Sequence, residues 1–367
     1  MQHNSQLSIF NSQLSTFNFQ LSILNFLFLI AACSPARPAK IPPQQSPKVV
    51  LGHYLFFEKK ISINNTKSCA SCHDPVLAFS DGYRRSVGVF GDIHPRNSPS
   101  LVNAIYHRTF NLANPDVRTL TQQHYLPLYN TAPIEMGVAG NEATILARIA
   151  QDSLYKTLFS KAFRSPKDRF SWTHIVEAIA AYTSTLVSLN SPYDRYLAGD
   201  LQALSPSAAA GRSLFFSPRL RCGKCHNGLM LSTNSRFALD TNVANNYANI
   251  GIYAEGENPS TDKGLMNVTH NPQDEGKFII PSLRNVFLTA PYMHDGSIAT
   301  LPEVLKHYSK GGKKQANLDT RISAFPLSQE EEKDILNFLE SLTDTSYLRK
   351  EHFRNPFRLA DERRFRR

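Results

Sequence analysis

The chain has 367 residues, room for two domains of ordinary size, and its 41% hydrophobic and 19% charged content is that of a globular protein. With 17 Gly and 22 Pro it is not fibrous. The formal net charge is +10, part of it gathered between Leu348 and Arg367, and no basic surface falls on a reading element. That pattern argues against a nucleic-acid partner and makes residues 346–367 a basic, solvated tail.

Residues 1–32 are expected to be a signal peptide. The apolar run from Leu24 to Ala32 is too short to span a bilayer, and small residues lead from it to Cys33. Ile30-Ala31-Ala32-Cys33 resembles the lipobox of bacterial lipoprotein signals, in which the cysteine is acylated after cleavage. The Pro-rich stretch that follows makes residues 33–47 a lipid-anchored linker. The protein is then expected to face the periplasm, held to the membrane, the outer one, only through that anchor. Residues before Leu24 carry no Lys or Arg and repeat as NSQLSIF, NSQLSTF and NFQLSIL, which a start codon assigned too far upstream would explain.

The next elements come in pairs. Cys69-Ala70-Ser71-Cys72-His73 and Cys222-Gly223-Lys224-Cys225-His226 are both Cys-x-x-Cys-His, the c-type haem attachment pattern. Two thiols add across the vinyl groups of one porphyrin, and the adjacent imidazole reaches the iron. A redox dithiol would not need the histidine, and a zinc site would need four ligands in another layout. Each motif follows a Gly, two residues and Leu-Phe-Phe: Gly52 to Phe57, then Gly211 to Phe216. The chain thus repeats one haem module.

Between and beyond the motifs the pattern is helical. Trp172 to Leu189 carries an apolar stripe behind the cap Ser171. Ser205 caps a helix that has Pro206 in its first turn. Thr300 with Glu303, and Ser328 with Glu331, form capping boxes that open helices ending near Ser309 and Leu342. The fold class read from this is mainly α: two cytochrome c-like haem domains related by internal duplication, with long loops and few or no strands. Residues 48–200 form the N-terminal domain and 201–345 the C-terminal one, joined near Ser191 to Ser205.

Further segments resemble the bacterial dihaem cytochrome c peroxidase and MauG superfamily. They include Phe79-Ser80-Asp81-Gly82, Arg96-Asn97-Ser98-Pro99-Ser100-Leu101, Pro133-Ile134-Glu135-Met136-Gly137, Pro281-Ser282-Leu283-Arg284-Asn285, Thr289-Ala290-Pro291-Tyr292-Met293-His294-Asp295-Gly296 and His307-Tyr308-Ser309-Lys310-Gly311-Gly312. They run in collinear order from about Val49 to Leu342. Leu112-Ala113-Asn114-Pro115 and Pro127-Leu128-Tyr129 look closest to the MbnH-like branch, whose members oxidise a tryptophan on a partner protein.

The resemblance implies two covalent haems c, a peroxide site on the N-terminal haem and an electron relay on the C-terminal one. It makes His73 and His226 the proximal ligands and Glu135 the distal acid/base, with Gln123 and Pro127 at other distal positions. A carboxylate suits that role, because heterolysis of hydrogen peroxide needs a proton moved between its two oxygens. The resemblance makes Tyr308 the sixth ligand of the second haem, with Met293 as the alternative. An anionic oxygen ligand favours ferric and higher oxidation states. The resemblance also implies a calcium ion held by Asn97, Thr289 and Pro291.

Two departures bear on function. The loop Val87 to Ile93, where classical peroxidases carry a distal His, has Val89 at the matching position, with His94 close by. The first iron is therefore expected to be open without reductive activation. The inter-haem Trp is missing, Trp172 lies elsewhere, and Tyr106 is a possible substitute. The leading function is oxidation of a partner's Trp or Tyr side chain by hydrogen peroxide. The alternatives are a cytochrome c peroxidase served by a small cytochrome or copper protein, and a non-enzymatic dihaem electron carrier.

Overall fold

In the computed structural model the residues described are 43, 45–166, 169–239 and 242–358. The targeting segment and Cys33 lie outside them. In chain order the helices are α1 (Pro47–Phe57), α2 (Leu120–Tyr129), α3 (Glu142–Gln151), α4 (Ser153–Ala162), α5 (Trp172–Thr183), α6 (Pro192–Leu197), α7 (Pro206–Phe215), α8 (Met266–Thr269), α9 (Leu301–Ser309) and α10 (Gln329–Glu340). The only sheet among the described residues pairs β1 (Tyr247–Ala248) with β2 (Phe278–Ile279), antiparallel. Loops and short 3-10 turns carry the rest, as expected of a fold built around bound cofactors.

The repeat seen in the sequence is a repeat in space. α1 crosses α5 at Gly52, where a Cβ would sit 1.8 Å from the Ala178 carbonyl oxygen. α7 crosses α10 at Gly211, where a Cβ would sit 1.9 Å from the Asp334 carbonyl oxygen. Glycine is needed at both crossings because only its backbone lets the helices approach so closely. The Leu-Phe-Phe group then points each helix end into a core. Leu55 and Phe56 pack in one apolar core with Ile145, Tyr155, Ile175 and Val176. Phe215 packs in a second with Leu231, Leu305, Ile335 and Phe338.

The expected caps are present. Ser205 accepts from Ala208 N–H with Pro206 in the first turn, and both capping boxes, Thr300–Glu303 and Ser328–Glu331, close. The helix expected from Trp172 to Leu189 stops earlier, at Thr183. Thr183, Ser184 and Thr185 each turn a hydroxyl back onto a preceding carbonyl, which competes with the helical ladder. The chain then extends so that Asn103 can bond both Ser188 N–H and Ser188 O, each at 2.9 Å.

The C-terminal segment is not the solvated tail its charge suggests, at least as far as residue 358. Tyr347 and Phe353 are fully buried in the first core. Between them the segment bonds to α5 and the turn after it: Tyr182 Oη donates to His352 O at 3.1 Å, and His352 Nε2 meets Thr185 Oγ1 at 2.5 Å. Charged residues alternate with these anchors, so counting charges hides the apolar ones.

Candidate functional site

Each Cys-x-x-Cys segment is a single 3-10 turn, Cys69–Ser71 and Cys222–Lys224, that presents two thiols and leads into the histidine. His73 Nδ1 lies 2.8 Å from Phe79 O, and His226 Nδ1 lies 3.1 Å from Leu231 O. Nδ1–H donates to the carbonyl, which leaves the Nε2 lone pair free for a metal. The loops reach this geometry through left-handed residues: Ala78 (φ 51°) and Phe79 (φ 59°) in the first module, Leu231 (φ 50°) in the second. Burial keeps both imidazoles neutral, lowering His73 below its ordinary pKa and His226 to about 4.

The four thiols are free of disulfides. Burial pushes Cys69 and Cys222 up to about 12 and Cys225 up to about 11, and raises Cys72 as well. Paired free thiols on one turn, beside an imidazole whose Nδ1 is held by a backbone carbonyl, fit thioether-linked haem at both motifs.

Glu135 faces the first motif: its charge acts on both Cys69 and Cys72. Asn130 Nδ2 donates to Glu135 Oε1 at 2.8 Å, and His94 Nε2 lies 3.9 Å from the same oxygen. The backbone around the carboxylate is pinned from both sides. Met136 N–H donates to Pro127 O at 3.2 Å, and Val89 N–H donates to Glu135 O at 3.0 Å. Pro127 sits inside α2, so it and Glu135 are brought together. Gln123, one turn earlier on α2, accepts from Asn111 Nδ2 at 3.2 Å, and no bond joins it to Glu135.

The loop from Val87 to Ile93 lies against this segment so closely that a Cβ on Gly88 would meet Ile134 O at 1.9 Å. Val89 is buried there and offers no ligand. His94 Nδ1 accepts from Arg96 N–H at 3.1 Å, which puts its other nitrogen toward Glu135.

In the second module Tyr308 is half-buried on α9, near enough to Cys225 and Cys222 for those thiols to act on its phenol, whose pKa desolvation raises. Tyr308 therefore lies on the side of α9 that faces the second motif. Met293 occupies a left-handed turn (φ 73°) whose carbonyl accepts from Gly296 N–H at 3.3 Å. Asn97 N–H donates to His294 O at 2.8 Å, which draws Asn97 to the strand of chain that follows Thr289 and Pro291. The modules also meet where Tyr106, buried, packs 5.2 Å from the Phe237 ring. Trp172 lies in the first core, its indole N–H on Glu142 O.

Two residues near the motifs escaped the sequence reading. His124, next to Gln123, is buried and bonded to Thr183 Oγ1 at 2.9 Å, and burial, with His73 nearby, lowers it to about 3. Arg321 acts electrostatically on Cys225 and His226 while paired to Asp319 at 2.6 Å. Each was a polar residue in an unremarkable stretch, and only the fold brings it to a motif.

The family model for di-haem cytochrome c peroxidase matches residues 46–202. Cytochrome-c peroxidase IdrP1 of Denitromonas iodatirespirans is 34% identical over 336 residues, which cover 86% of this chain and 87% of that protein. Methylamine utilization protein MauG of Methylorubrum extorquens is 33% identical over 312 residues, 83% of this chain and 82% of its own. The crystal structure of a MauG-like protein associated with microbial copper homeostasis matches with a TM-score of 0.82 at 38% identity, over 87% of this chain and 97% of that one.

Proposed function

Since the chain belongs to the di-haem cytochrome c peroxidase and MauG family, and so is a haem-dependent oxidoreductase that acts with peroxide and carries two haems c, we propose that it uses hydrogen peroxide to oxidise a Trp or Tyr side chain of a partner protein. The non-enzymatic carrier falls away with family membership. One peroxide takes two electrons and two protons to become two waters, and the partner's side chain supplies the electrons.

The bound haems supply redox-active iron. His73 would hold the first, and His226 with Tyr308 the second. Glu135 would carry the proton between the peroxide oxygens, its carboxylate steadied by Asn130 and its backbone by Pro127 and Val89. The Val87–Ile93 loop carries Val89 where classical peroxidases have a histidine, so nothing in that loop need leave before peroxide enters.

The observation that carries the side-chain-oxidising reading is Tyr308 beside the second pair of thiols. An anionic oxygen ligand lowers the tendency of iron to return to the ferrous state. The second reading, peroxide removal with electrons from a small cytochrome, is favoured by relatives named cytochrome c peroxidase. One equivalent of peroxide added to the diferric protein separates the two. A long-lived change in both haem spectra without reductant supports side-chain oxidation. A change that decays only when reduced cytochrome is supplied supports the peroxidase.

Calcium at Asn97, Thr289 and Pro291 is part of the same proposal. An amide and carbonyl oxygens suit a hard cation, and the Asn97–His294 bond draws the segments together. Chelation should then alter haem spectra, and calcium should restore them. Export and lipidation at Cys33 are proposed from the sequence, and Cys33→Ser should release the protein from the membrane fraction.

A further inference from the structure

The turn after each proximal histidine is gripped from two sides, and the second grip differs between the modules. One grip is common: Ser100 Oγ donates to Ala78 O at 2.5 Å, and Ser282 Oγ donates to Met230 O at 2.7 Å. In the second module the other grip is Arg284, two residues after that serine. Its Nε and Nη2 donate to Leu229 O at 2.9 and 2.7 Å, while Nη1 pairs with Asp194 at 2.6 Å. The matching residue of the first module, two after Ser100, is Val102, which has nothing to donate.

The missing grip comes from the far end of the chain. Tyr347 Oη donates to Pro75 O at 3.0 Å. Phe353 packs on Phe79, whose carbonyl holds His73, with ring centroids 6.1 Å apart, and on Tyr347 at 5.3 Å. The segment is fastened beyond them where His53 Nε2 meets Arg354 O at 2.7 Å. It starts from the second module at Asp344, whose N–H donates to Asn285 Oδ1 of that module at 2.8 Å and whose Oδ2 accepts from Ser188 Oγ of the first at 2.8 Å.

We propose that the strap of residues 346–358 positions His73 through the Tyr347 hydroxyl, doing for the first haem what Arg284 does for the second. Tyr347 is a positioning residue: it holds the Asp74–Phe79 turn, and the turn holds the imidazole. Loosening the turn weakens the bond from His73 Nδ1–H to Phe79 O. The imidazole then becomes a poorer donor to iron, which destabilises the ferric state. The strap thereby ties the second module to the ligand strength of the first. This rests on His73 being an iron ligand.

The test is resonance Raman and redox titration of the dihaem holoprotein carrying Tyr347→Phe, which keeps the ring and removes only the hydroxyl. Phe353→Leu, which loosens the strap and leaves the hydroxyl in place, is the second variant. In both, the iron–histidine stretching band of the reduced protein should fall, and the midpoint potential of the first haem should rise while that of the second stays put. An unmoved band in Tyr347→Phe, or equal shifts at both haems, overturns the proposal. A wild-type protein with no iron–histidine band would instead defeat the assignment of His73, so the two failures are distinguishable.

Discussion

The side-chain amide of Asn130 donates to Glu135 Oε1 at 2.8 Å, while the other flank of that oxygen faces His94 Nε2 at 3.9 Å. One partner is a fixed hydrogen bond and the other is within reach of a small movement, so the amide aims the carboxylate. Loss of a positioned acid/base costs roughly 10²–10⁴-fold in rate. Glu135→Gln should therefore lower turnover with peroxide by about that range and leave both haem spectra in place. Asn130→Ala, which removes a bond to a charged group worth about 1.5–3 kcal/mol, should cost roughly tenfold or more. Stopped-flow peroxide kinetics reads both, and an Asn130→Ala enzyme at full rate would mean that the amide does not aim the acid.

The glycines at the two helix crossings should be intolerant of any side chain. At Gly52 and Gly211 the clash is with a carbonyl oxygen of the facing helix, which cannot swing away as a side-chain tip can. Overpacking a core typically costs about 1–3 kcal/mol, and a backbone clash belongs at or above the top of that range. Gly52→Ala and Gly211→Ala should each lower the thermal midpoint of the holoprotein by several degrees. A midpoint equal to wild type in either variant would show that the helices can part freely.

Acid should destabilise the protein well before its carboxylates titrate. Burial lowers His53 and His352, neither of them proposed as an iron ligand, from 6.5 to about 4. Between those values the unfolded chain binds more protons than the folded one, so stability rises with pH through that window. Their contribution is fully present above about pH 6.5 and is lost as pH falls toward 4. The rings lie 5.6 Å apart and hold the strap on the first module. Denaturant midpoints measured across pH 4 to 7 should fall steeply on the acid side. His352→Gln, which keeps a polar partner for Thr185 without a titrating ring, should flatten that slope.

Much of this was legible in the sequence, for physical reasons. Haem attachment is a local covalent pattern, so five residues declare it. Helix caps such as Ser205, Thr300 and Ser328 act within one turn, and they appear where the pattern puts them. Gly52 and Gly211 announced the repeat because the helix crossing admits nothing larger. The contacts that sequence alone missed are those between distant stretches. Tyr347 reaches Pro75 across 272 positions, and no spacing rule links them. His124 reads as an ordinary helix residue until its partner Thr183 is known. Glu135 and Tyr308 were found by resemblance, and the fold adds their neighbours.

The most direct test is electron paramagnetic resonance of the diferric protein, wild type beside Tyr308→Phe. One high-spin and one low-spin haem are expected in the wild type, because Val89 would leave the first iron open and Tyr308 would close the second. The substitution should abolish the low-spin signal and leave the high-spin one untouched. Two low-spin haems in the wild type, or a low-spin signal indifferent to Tyr308→Phe, would contradict this assignment of the two sites.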